Sequence, residues 1–157
     1  MGKINAIKIK VCAGFFAAIF SFSSIADVKI SNLDDFDFGL YSGFGNLRND
    51  DNICINTLPL SNYQITFWGS GASGDFQITN GIEFLDFRVR FNDRARRNGG
   101  RRVDPGVPLT GRRRASDDLD CPGGLNANID IRFRQQDLQA ASPGRYQGTL
   151  TVTIVPE

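Results

Sequence analysis

The side chains available for chemistry in this sequence are arginine and aspartate. It contains no histidine, which removes the usual Ser-His-Asp and Cys-His machinery and the commonest metal ligand. Of the three cysteines, Cys12 lies in an N-terminal apolar stretch, leaving Cys54 and Cys121 in the rest of the chain. Joined as a disulfide, those two offer neither a thiolate nucleophile nor zinc ligands. The carboxylates gather in two groups, Asp34, Asp35 and Asp37, and Asp50 with Asp51. Neither has the ligand spacing of an EF-hand, and short acidic clusters beside turns ordinarily shape and solubilise them. A carboxylate pair for glycoside hydrolysis has no meaning without a separation. The expectation is therefore a protein with no catalytic residue, no metal and no cofactor.

The arginines are more distinctive. Arg94, Arg96, Arg97, Arg101, Arg102, Arg112, Arg113 and Arg114 fall in one segment whose sole acid is Asp104. Clustered guanidinium groups suit planar, bidentate contacts to carboxylate or phosphate, so the segment reads as a loop for an anionic surface glycan or lipid. No aromatic residue is interleaved, which disfavours single-stranded nucleic acid. Asp117, Asp118 and Asp120 follow at once, so the same charge also fits a solvated loop balanced locally. Among the aromatic residues, Phe67, Phe76 and Phe91 follow the inward phase of their strands. Trp68 points the other way and is the one candidate for stacking a sugar.

These side chains are carried by short strands. Val28-Lys29-Ile30 alternates briefly before an acidic run. Phe36 and Phe38 alternate with aspartates and lead into a glycine-rich turn, and Ile53 and Ile55 oppose Asn52, Cys54 and Asn56. Tyr63, Ile65 and Phe67 form the next inward face, followed by a glycine-rich turn at 69–74. A short strand at Phe76 and Ile78 ends at the hairpin pair Asn80-Gly81. Leu85, Phe87, Val89 and Phe91 make the strongest internal strand. Residues 92–122 read as a long loop with one brief strand near 107–109, and Ala127, Ile129, Ile131 and Phe133 restore the period of two. Residues 135–141 suit a single helical turn. After Ser142-Pro143-Gly144, the residues Tyr146, Gly148, Leu150, Val152 and Ile154 alternate with Gln147, Thr149, Thr151 and Thr153 in the longest half-buried strand. With only Val155, Pro156 and Glu157 after Ile154, that strand is expected to find an edge partner earlier in the chain or in another molecule. About seven short strands, and little helix, predict an all-β sandwich of immunoglobulin-like character, with a barrel as the alternative.

The N-terminus carries Lys3, Lys8 and Lys10, an apolar run over 11–22, and Ser24-Ile25-Ala26 with small residues at the two positions a signal peptidase reads. Residues 1–26 therefore read as a secretory signal and 27–157 as one exported domain. Of 18 basic residues the signal removes three lysines, so 15 face 17 acidic residues in the mature chain. In an oxidising compartment Cys54 and Cys121 are expected to form one disulfide, worth roughly 4 kcal/mol in the chain-entropy account.

Several segments together, in order, resemble the spore coat protein U domain family. They are Asn32-Leu33-Asp34-Asp35-Phe36-Asp37-Phe38-Gly39, the Cys54 strand, Thr79-Asn80-Gly81, Phe91-Asn92-Asp93, Cys121-Pro122-Gly123-Gly124-Leu125-Asn126-Ala127 and Pro143-Gly144-Arg145-Tyr146-Gln147-Gly148-Thr149-Leu150. That family is similar to the major subunits of archaic chaperone-usher pili. The resemblance implies an incomplete immunoglobulin-like fold lacking its last strand, with a groove filled first by a periplasmic chaperone and then by the N-terminal strand of a neighbouring subunit. It also implies Leu150, Val152 and Ile154 as groove lining, Val28 and Ile30 as the donor residues, and Cys54 with Cys121 as the matching disulfide. Its expected partners are a chaperone, an usher and other pilin or coat subunits, and its expected destination is the cell surface.

Overall fold

Alternation of apolar and polar residues along the strands builds two facing sheets in a computed structural model that describes residues 3–11 and 27–157. Residues 12–26, most of the expected signal, lie outside the described residues. One sheet has the order β6 (Phe84–Asp86), β5 (Gln77–Thr79), β11 (Arg145–Pro156), β4 (Tyr63–Trp68), β9 (Leu109–Arg112), with β1 (Lys3–Val11) added along β11. The other runs β2 (Asp27–Ser31), β3 (Leu47–Leu58), β10 (Ala127–Phe133), β7 (Arg88–Asn92), β8 (Arg101–Val103). Every pairing of these strands is antiparallel except β1 with β11, and an isolated bridge of Asn56 with Ser116 is also parallel. The all-β sandwich predicted from sequence is the architecture found.

The core lies between the sheets. Ile65, Phe67, Ile78, Leu150 and Val152 come from one side, and Ile53, Val89, Phe91, Ile129, Ile131 and Phe133 from the other, all essentially without solvent contact. Each such side chain stabilises the fold by about 1.5–3 kcal/mol relative to exposure. The one α-helix among the described residues, α1 (Gln135–Ala140), is the single turn expected at this place, and it buries Leu138.

Three expectations shift. The strand anticipated over 85–91 is two strands in different sheets, β6 and β7. At Phe87 the backbone N–H donates to the Phe76 carbonyl at 2.9 Å, and the ring stacks on Phe76 and leans on Phe133, with centroids 5.5 and 5.7 Å apart. The chain crosses the sandwich there without losing its inward phase, which is why the alternation looked continuous. The segment at 36–38 forms only a bridge, although Phe36 is 2% exposed and Phe38 meets Phe133 edge-on at 5.0 Å. Its alternation records packing under the sheet rather than membership of it. Within 92–122 there are two strands, β8 and β9; only Val103 among their residues is buried, so backbone pairing defines them and side-chain rhythm does not.

Cys54 and Cys121 are bonded. The disulfide ties β3 to the 113–126 segment, which also lies along β3: Thr57 N–H donates to the Ser116 carbonyl at 2.9 Å and Ser116 N–H to that of Ile55 at 2.8 Å. Asn126 reads Ile55 twice, its Oδ1 accepting the Ile55 N–H at 2.9 Å and its Nδ2 donating to the Ile55 carbonyl at 2.8 Å. Covered on both faces, residues 53–57 are buried without alternation.

Candidate functional site

The edge that the sequence singles out is that of β11. Its start is fixed from the β5–β6 hairpin. The Glu83 carboxylate accepts the Ser142 N–H at 2.5 Å and the Tyr146 hydroxyl, and Asn80 Oδ1 folds the turn by accepting the Ile82 and Glu83 N–H groups at 2.9 Å. These bonds, the Tyr146 hydroxyl first, hold the Glu83 carboxyl below its ordinary value. Burial, reinforced by that carboxylate, pushes the Tyr146 phenol up to about 12. Neither Glu83 nor its partner Ser142 stood out in the sequence, because a loop carboxylate gives no sign of a partner some 60 residues away.

From Tyr146 onward β11 lays one edge against its own sheet, with Gln147 opposite Thr79 of β5 and residues 151–156 opposite β4. The approach is closest at Gly148. A Cβ there would stand 2.8 Å from both Ile78 Cγ2 and Ser70 Oγ, and Ser70 Oγ accepts the Thr149 N–H at 3.1 Å. The opposite edge, over 145–152, is paired by β1 in parallel register, with Ile7, Ile9 and Val11 opposite Gly148, Leu150 and Val152. Leu150 and Val152 are fully buried and Ile154 partly so. The inward face expected for this strand is thus the face observed.

The other named residues fall as follows. Val28 and Ile30 sit in β2, opposite Thr57 and Ile55 of β3; here they complete their own sheet. The arginine segment is divided between the two sheets. Arg101 and Arg102 belong to β8 in one sheet, whereas Arg112 ends β9 in the other, with Arg113 and Arg114 beyond it. Arg97 ion-pairs with Asp50, Arg102 stands 3.8 Å from Asp104 and Arg112 3.9 Å from Asp93. Arg94 and Arg96 lie exposed in the loop after β7.

Three of the five clustered carboxylates are used within the fold. Asp51 accepts the Asp34 N–H at 2.9 Å, Asp37 accepts the Gly39 N–H at 2.9 Å, and Asp50 holds Asn128 as well as Arg97. Burial pushes the Asp51 carboxyl up despite that N–H. Trp68 is 42% exposed, but its ring abuts Gly74 and Gly106, so one surface of the candidate sugar platform is already covered by the β8–β9 connection. Alternation puts Arg88 and Arg132 on the outward faces of their strands, but nothing in the sequence puts them side by side with each other and with Arg48, as the sheet does. Their outward phase was legible, whereas the order of strands that gathers them was not.

No protein-family model and no curated protein matches this chain.

Proposed function

We propose that this chain is an exported, non-enzymatic structural subunit of a surface pilus or coat, assembled by donor-strand complementation along a chaperone-usher route. The observation that carries the reading is the outer edge of β11. Over 145–152 that edge bonds, among the described residues, to β1 alone, and β1 lies within the stretch that the sequence marks for removal on export. Cleavage after Ala26 would strip the ladder from a long strand whose inward face is Tyr146, Leu150 and Val152, and an apolar edge left open in that way recruits a strand from elsewhere.

The pairing of β1 gives the specification such a strand must meet. Apolar residues at alternate positions, Ile7, Ile9 and Val11, fall opposite Gly148, Leu150 and Val152, with lysines between them. On this reading the mature domain is an incomplete immunoglobulin-like sandwich. A periplasmic chaperone fills its groove first and another subunit afterwards, with Leu150, Val152 and Ile154 as the lining. Val28 and Ile30 are the apolar residues its own N-terminus offers a neighbour, and β2 must release β3 to present them.

The test compares the full chain with residues 27–157 alone, with and without a peptide of the sequence 3–11. The shortened chain is expected to form oligomers or to melt well below the full chain, and to be rescued by the peptide but not by one carrying Ser at the positions of Ile7, Ile9 and Val11. A shortened chain that stays monomeric, with a melting temperature indifferent to the peptide, overturns the proposal.

A further inference from the structure

A second surface lies on the other sheet, away from β11. On its outward face three arginines stand directly opposite one another on three adjacent strands: Arg48 of β3, Arg132 of β10 and Arg88 of β7. Two residues further along, Asp50, Asp130, Arg90 and Arg102 form the next row across β3, β10, β7 and β8. Like charges directly opposite on neighbouring strands weaken a sheet, so the first row works against the fold that carries it. Only Arg48 is neutralised. Its guanidinium grips Asp130, which is 1% exposed, through Nε at 2.5 Å and Nη2 at 3.0 Å, and this carboxylate holds the Arg48 proton more firmly. Arg88 and Arg132 are exposed and have no carboxylate within ion-pairing distance among the described residues.

Arg88 and Arg132 are also walls common to three adjoining depressions. The first, about 200 Å³, adds Arg48, Arg90, Arg97 and Arg102. The second, about 400 Å³, adds Arg102 and Arg134 together with the carboxylates Asp75, Asp86 and Asp137, of which Asp137 is ion-paired to Arg134 at 2.6 Å, and the third, about 390 Å³, adds Arg134, Asn46 and Gln135 and no carboxylate. In the third, Asn46 Oδ1 accepts the Gln135 N–H and Gln135 Oε1 accepts the Gly45 N–H, both at 3.1 Å, which leaves each amide NH2 group as a donor. No ring is offered to the groove, because Phe76 and Phe87 beside the second depression are buried. Of the 15 basic residues in 27–157, all but Lys29 are arginine, the side chain whose fork matches a planar carboxylate.

We propose that this face binds an acidic polysaccharide, with Arg88 and Arg132 taking successive carboxylates and the Asn46 and Gln135 amides taking hydroxyls. The three linked depressions suit an extended chain, where a compact anion would need a single closed pocket. The lack of a stacking ring separates this ligand from single-stranded nucleic acid.

The full chain is titrated with a polyuronate, polyphosphate, a thymidine oligonucleotide and neutral dextran, at low and at physiological salt. Polyuronate is expected to bind best, and more weakly as salt rises. Each lost charge-assisted contact weakens binding by about tenfold, so R88S/R132S should weaken it about a hundredfold. Its melting temperature should hold or rise, since the opposed charges are relieved. The control R112S/R113S/R114S should bind as the parent does. The proposal is overturned if polyuronate fails to bind, if polyphosphate or the oligonucleotide binds better, if R88S/R132S binds unchanged or melts lower, or if the control loses as much. None of these readings depends on how the β11 edge is closed.

Discussion

Gly106 meets the indole of Trp68 so closely that a methyl group there would stand 2.4 Å from the ring, and its φ of +70° already lies in the left-handed region. Gly106→Ala is therefore expected to cost about 2–3 kcal/mol, by backbone strain and by expelling the ring, and to redden Trp68 fluorescence; denaturant titration with emission spectra checks both. Glu83 is the residue whose effect depends on pH. Its carboxyl is held below its ordinary value by the Tyr146 hydroxyl first and the Ser142 N–H second. The stability it confers is accordingly full above its unfolded pKa and lost as pH falls through the lower folded value. Glu83→Gln should leave a chain less stable at neutral pH whose unfolding midpoint falls less steeply on acidification than that of the parent, as guanidinium titrations at neutral pH and near pH 3 would read. Asp120, lowered chiefly by its bond to Lys29, has the same sign and Asp51 the opposite one, so the comparison is between variant and parent rather than on the parent alone.

Among the strands, β11 is the one in which position along the chain matters most. Leu150 packs at the centre of the core and Ile154 near its rim. Leu150→Ala should cost about 2–5 kcal/mol and Ile154→Ala less than half of that, because a partly exposed side chain leaves a smaller cavity; paired thermal melts would measure both. β4 and β11 were legible because each has one face on the core and one more open to solvent, so burial writes itself as a period of two; β10 was legible from its apolar–polar alternation alone, since its outward Asn128 and Asp130 are buried as well. The same rule explains what was not legible. β3 was read around Cys54 from the alternation of Ile53 and Ile55 with Asn52, Cys54 and Asn56, but its length was not, because both faces are covered from 53 to 57; β6 and β7 keep the period across a change of sheet because Phe87 stays inward as the backbone crosses. β8 and β9 bury almost nothing, and a strand held by main-chain bonds alone leaves no trace in the side chains. The candidate edge was therefore readable from β11 itself, whereas the arginine row across β3, β10 and β7 required a strand order that no local pattern encodes.

For the molecule as a whole, the Cys54–Cys121 bond closes a loop of 67 residues, which the chain-entropy account values at roughly 4 kcal/mol. Reduction, or Cys54→Ala with Cys121→Ala, is expected to lower the melting temperature by about 15 °C, as calorimetry with and without reductant would record. That loop encloses β4 to β9 and leaves β2, β10 and β11 outside it. The arrangement has a mechanical consequence. Tension applied between the start of β2 and the end of β11 passes around the loop through the sulfur bridge, so the enclosed strands never bear it. At roughly 3.4 Å per residue, a pulled-out oxidised domain reaches about 210 Å and a reduced one about 440 Å. In a filament under load, each oxidised domain would act as a short-travel shock absorber, yielding half its length and keeping the rest in reserve.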